Sequence, residues 1–161
     1  MKEKQKITKY QSGNTKTETY TDADTFVTKH FYDAKDAYTK EIISLKDGIT
    51  EVKYFTAKGV LSKLDHFVDG KRDGEEIKYM IAKANRSVKS SKTYADGKLH
   101  GQSITYNQTN DIIKHEVFAL GKLVLKYLHV DNDNIKDVEI IDKDSIENLP
   151  TIEYDKLQSY I

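Results

Sequence analysis

Apolar and polar residues alternate along most of this chain, and glycines interrupt the alternation at regular intervals. Val52 and Tyr54, Ile77 and Tyr79, and Ile104 and Tyr106 stand two apart, with Lys53, Lys78 and Thr105 between them. A period of two puts the first set on one face of a sheet and the second set on the other. Return strands such as Leu64-Asp65-His66-Phe67 and Lys92-Thr93-Tyr94 are more polar, which predicts a sheet with one wet face. The glycines at 13, 48, 59, 70, 74, 97, 101 and 121 all fall at predicted turns and none inside a predicted strand.

The turns repeat. Tyr94-Ala95-Asp96-Gly97-Lys98-Leu99-His100-Gly101 has a counterpart 27 positions earlier in Phe67-Val68-Asp69-Gly70-Lys71-Arg72-Asp73-Gly74. Phe118-Ala119-Leu120-Gly121-Lys122 repeats its first half 24 positions later, and Leu45-Lys46-Asp47-Gly48 precedes Phe67 by 22. Asp-Gly supplies the positive backbone angles of a tight hairpin turn, so each copy joins two strands. Aromatic strand ends at Phe31-Tyr32, Tyr54-Phe55, Tyr79-Met80, Tyr106-Asn107 and Tyr127-Leu128 alternate with these turns. Most of them lead to a second turn: Lys35-Asp36, Lys58-Gly59, Asn85-Arg86 and Asn110-Asp111. A period in the twenties is a repeat architecture, and every repeat reads as a hairpin. The predicted fold is all-β, an elongated antiparallel β-meander of repeated hairpins in an open sheet, with a small C-terminal α/β cap. The repeat array spans 1–128 and is clearest over 54–121; 129–161 is the capping segment. Within the cap, 138–141 reads as a strand, 144–150 as a short helical turn ended by Pro150, and 152–161 as a final short helix. At the other end Thr15 to Thr21 reads as an edge hairpin and residues 1–7 as loose.

Gly97, Lys98, His100 and Gly101 with Tyr106, and Gly70, Lys71 and Gly74 with Tyr79, resemble the MORN-variant repeat proteins of bacteria, which include the YwqK-type antitoxins. The resemblance covers roughly 31–128 by this period. Asp73 stands where the best copy has His100, Leu120 replaces the turn aspartate, and Asn85-Arg86 replaces the usual Asn-Gly. The resemblance implies an open MORN-like sheet and an antitoxin or immunity protein that neutralises a toxin.

Composition narrows the function classes. Basic and acidic residues both number 26, so there is no overall field toward nucleic acid, and a membrane surface is disfavoured as well. The balance is +6 over 1–128 and −6 over 129–161, which a solvated acidic surface explains. No cysteine is present, which excludes disulfides and thiolate chemistry. No apolar run could cross a bilayer or serve as a signal peptide, so a soluble cytoplasmic protein is expected if Met1 is the native start.

Catalytic chemistry is hard to find. His30, His66, His100, His115 and His129 have no ligand spacing, and are read as surface histidines. Asp131, Asp133, Asp137, Glu139 and Asp142 follow a calcium-loop count, but Ile135 and Lys136 occupy positions that need an oxygen ligand and a glycine. The Gly-Lys pairs lack a phosphate-binding loop, and no serine sits in a nucleophile elbow. The chain therefore reads as a non-enzyme with no metal and no cofactor. Its predicted role is a protein–protein interaction module whose partner contacts Tyr54, Tyr79 and Tyr106. The other role the repeats suit is a structural scaffold or spacer, with lipid-surface binding a third.

Overall fold

The computed structural model describes residues 3–22, 25–33, 38–45, 47–81, 86–129, 131 and 134–160. The chain divides into two compact units, Met1–Lys71 and Arg72–Ile161. The first unit contains β1 (Glu3–Lys9), β2 (Thr15–Asp22), β3 (Thr25–Phe31), β4 (Tyr38–Ser44), β5 (Ile49–Phe55) and β6 (Leu61–Val68). The two-residue β7 (Lys71–Arg72) straddles the division. The second unit contains β8 (Gly74–Ile81), β9 (Arg86–Ala95), β10 (Lys98–Tyr106), β11 (Ile112–Ala119), β12 (Lys122–His129) and β13 (Ile135–Ile140). A 3₁₀ turn over Lys143–Asn148 and helix α1 (Thr151–Gln158) close it. Within each unit every strand pairs antiparallel with the next one in the chain. This is the open meander of hairpins expected from the sequence, with a small C-terminal helical segment. No helix among the described residues is long and apolar enough to cross a membrane.

Two turn types alternate, as the two repeated motifs require. Asp47-Gly48, Asp69-Gly70 and Asp96-Gly97 have positive φ at both residues, the two-residue turn whose twist matches that of the flanking strands. Leu120-Gly121 adopts the same angles with φ 51° at the leucine, where a Cβ is strained. Three other turns among the described residues are three-residue loops that end in a left-handed residue: Gly13, Gly59 and Asn110. In each, the residue before the loop and the one after it share a backbone hydrogen bond, as Thr56 N–H donates to Val60 O at 2.9 Å. Lys35-Asp36 and Asn85 lie outside the described residues.

In the second unit the two-residue turns Asp96-Gly97 and Leu120-Gly121 are each bonded to a strand residue earlier in the chain. Gly97 N–H donates to Arg72 O at 2.8 Å, and Gly121 N–H donates to Leu99 O at 2.7 Å. One position further on, the side chain of Asp73 accepts Asp96 N–H at 3.0 Å. The side chain of His100 accepts Leu120 N–H at 3.3 Å. Aspartate and histidine are thus interchangeable at this repeat position because each offers an acceptor to the next turn.

Two expectations need correction. Residues 3–7 are not loose: they belong to β1, with Glu3 opposite Thr21 and Ile7 opposite Glu18. Gly101 is not at a turn but inside β10, where the pairing with β9 breaks between Leu99 and Ser103. Its φ is +111°, and a Cβ there would meet the Thr93 Cβ at 3.3 Å. The second glycine of the motif therefore serves a bulge that lets β10 approach β9 closely.

The units bury different things. In the second, Val117, Ala119, Val124, Leu125 and Tyr127 of the sheet cluster with Leu149 and Leu157 of the cap, flanked by Ile135, Val138 and Ile146. The register shift after Val117 brings the consecutive residues Val124 and Leu125 both to full burial. In the first, Tyr20 and Val27 are buried as a cross-strand pair. Val52 is buried on the opposite face, in the row Thr19, Thr28, Ile42, Val52, Asp65. Charges alternate across strands in the row Glu18, Lys29, Glu41, Lys53, with Lys29 and Glu41 3.7 Å apart.

Candidate functional site

The face of the second unit that carries Ile77, Tyr79, Ile104 and Tyr106 runs directly into its core. Ile77 lies opposite Ser91, Ser91 opposite Ile104, and Ile104 opposite His115. The His115 ring then packs at 4.8 Å against Tyr127, and Tyr127 pairs with Val138. On the same face Tyr79 lies opposite Val88, Tyr106 opposite Ile112, and His129 opposite Ile135, each after a register shift. One face thus grades from half-buried aliphatic and tyrosine side chains to a sealed core.

Helix α1 lies over the sealed end. Gln102 Nε2 donates to Glu153 Oε1 at 2.6 Å. The Lys156 ammonium stands 4.6 Å above the Tyr127 ring, and the Tyr160 ring packs against it at 6.1 Å. Glu153, Lys156 and Leu157 meet the sheet together because residues three and four apart share a helix face. Beneath the cap, His115 Nδ1 and His129 Nε2 are 2.8 Å apart in stacked rings. Burial, then the charges of Lys156 and His129, lower the His115 pKa to about 4. Burial, then the Glu153 and Tyr160 charges, raise the Tyr127 hydroxyl well above the ordinary phenol range. His115 Nε2, Tyr127 Oη and Glu153 Oε2 are buried with no hydrogen-bond partner among the described residues.

The three tyrosines singled out from sequence separate. Tyr79 and Tyr106 are half-buried on the face just described, and burial followed by the Glu75 charge raises the Tyr106 pKa. Tyr54 belongs to the first unit, opposite Lys40 and Lys63, and the Lys63 ammonium stands 5.3 Å over its ring. Beside Tyr79 and Tyr106, Ile81 and Ile113 are exposed, the latter by 62%. No element of the second unit's described residues packs over this part of the face as α1 does over Tyr127.

One histidine departs from the surface reading. His66 is partly exposed, 3.4 Å from Glu51, but His115 is buried beside the core. The reason is alternation: His115 shares its side of β11 with Val117 and Ala119, which are inside. That signal was present in the sequence, as was the Glu153, Lys156, Leu157 spacing. Gln102 carries no such signal, because only the placement of α1 gives it a partner. Among the described residues no group of three or more histidine, aspartate or glutamate side chains is placed to hold a metal.

Chemically, the arrangement offers an apolar and aromatic strip beside a rigid two-layer core. The chain matches no protein-family model, no curated protein and no solved structure.

Proposed function

We propose that this protein is a protein–protein interaction module whose partner docks on the face of the second unit that carries Ile77, Tyr79, Ile104 and Tyr106, its ladder face, around Tyr79 and Tyr106. One observation carries the reading: the row Ile77, Ser91, Ile104 continues the row of the capped core without the helix that covers His115 and Tyr127. Half-buried aliphatic side chains with tyrosines suit a docking surface, because tyrosine offers large contact area at low entropic cost. The resemblance to MORN-variant repeats supports the narrower reading, an antitoxin or immunity protein that blocks a toxin. A scaffold role is favoured by the bonds from Asp96 to Asp73 and from Leu120 to His100, which tie successive repeats together.

Affinity capture from the native host tests this, with thermal melting measured beside it. Tyr79→Ser and Tyr106→Ser are expected to abolish capture of a partner that the wild type retains, with a modest loss of melting temperature. Lys78→Glu and Thr105→Glu, on the opposite face, are expected to leave it intact. The reverse pattern would place the partner on the polar face.

A further inference from the structure

A cavity of about 370 Å³ opens on the ladder face where α1 begins. Its sheet side is formed by Glu75, Ser91, Thr93 and Gln102, and its helix side includes Ile152 and Glu153. Among the described residues no lysine or arginine lines it, although the chain carries 26 of them. His100, at the same wall, is engaged through Nδ1 as acceptor for Leu120 N–H.

The carboxylate at the back is built in. Glu153 is only 2% exposed and is held by the 2.6 Å bond from Gln102 to its Oε1. It is the third residue of α1, where the helix dipole favours a negative charge. Oε2 is nevertheless left with no hydrogen-bond partner among the described residues. A buried carboxylate oxygen without a donor is costly, and a charged N–H donor relieves that cost most effectively. Glu75 at the exposed rim adds a second negative charge, and the Ser91 and Thr93 hydroxyls add acceptors. Ile152 provides an apolar wall for methylene groups.

We propose that this cavity is a binding site for an alkylammonium or guanidinium group, the side chain of a lysine or arginine presented by a protein partner. That the cation comes from a protein rests on the docking reading above; the cavity's preference for a cation does not. The cation enters from the ladder side, pairs with the Glu153 carboxylate, and is held at the rim by Glu75.

The test is an NMR titration of the isotope-labelled full chain with N-acetyl-arginine methylamide, its lysine analogue and its norleucine analogue. Saturable shifts at the amides of Thr93, Gly101, Gln102 and Ile152 are expected with either cationic probe and none with norleucine. Glu153→Gln keeps the acceptor for Gln102 and is expected to weaken binding about tenfold with little change in melting temperature. If that variant fails to fold, Glu75→Gln at the exposed rim serves in its place, with a loss of about threefold expected. Absence of saturable shifts with both cations, equal shifts with norleucine, or unchanged affinity in the folded variants would overturn the site. Cation binding that persists while Tyr79→Ser and Tyr106→Ser leave partner capture intact would refute the docking surface and leave the cation site standing.

Discussion

In Met1–Lys71 the sheet buries Tyr20 and Val27 on one face and Val52 on the other, whereas in Arg72–Ile161 five buried sheet residues cluster with Leu149 and Leu157 of the cap. Both units use the same hairpin turns and the same alternation. The difference lies in what covers the sheet. A hairpin repeat can satisfy its backbone by pairing alone, but it seals an apolar face only when a second layer is supplied. In the first unit cross-strand pairs such as Lys29–Glu41 and the threonine row do the work that packing does in the second. In the second, the cap stops short of Tyr79 and Tyr106 among the described residues, and it is there that we propose a partner docks.

Removing the cap's contribution is the most severe way to probe that contrast. Leu157→Ala deletes a fully buried side chain from the two-layer core and is expected to cost about 2–5 kcal/mol. Val52→Ala in the first unit is expected to cost about 1–2 kcal/mol, because among that unit's described residues no helix packs over it. Denaturant unfolding of both variants, followed by a probe in each unit, measures the gap. Equal losses would mean that α1 adds no real second layer.

Acid should act unequally as well. The His115 pKa of about 4 in the folded state lies below its ordinary 6.5, so the unfolded chain binds the proton first. Its stabilisation is complete above pH 6.5 and is lost as pH falls toward 4, on the order of 1–3 kcal/mol. His30 in the first unit is shifted the same way, by burial and then the Lys40 charge, and is only partly buried. Melting from pH 7 to 4.5 is therefore expected to weaken the second unit more, and His115→Asn is expected to flatten that slope.

Glycine substitutions sharpen the picture at the bulge. Gly101→Ala combines φ +111° with a 3.3 Å approach to Thr93 and is expected to cost about 2–3 kcal/mol. Gly59→Ala meets nothing within 4 Å and is expected to cost about 1 kcal/mol for its positive φ alone. Chemical denaturation distinguishes them. The smallest effect is a gain: Leu120→Asn places a residue that tolerates the left-handed region at φ 51°, and should add about 0.5–1 kcal/mol.

Much of this was legible in the chain. Asp-Gly spacing located the two-residue turns, and the pair Val52 and Tyr54 announced a sheet face before any coordinates did. The helix around 152–161 was visible too, observed as Thr151–Gln158. Local pattern could not reveal that the second motif glycine sits at a bulge, because a positive φ is needed at turns and bulges alike. Nor could it pair Gln102 with Glu153, 51 residues apart, since that contact exists only once the cap is laid across β10. His115 was misjudged by residue type when its position between inward-facing neighbours was the better guide.

Hydrogen exchange on the free full-length chain tests the contrast between the units most directly. Amides of β11 and β12 between Glu116 and Tyr127, beneath the cap, are expected to be the slowest in the protein, and those of β2 to β5 to exchange markedly faster. Protection in β2 to β5 equal to or greater than that in β11 and β12 would contradict the account.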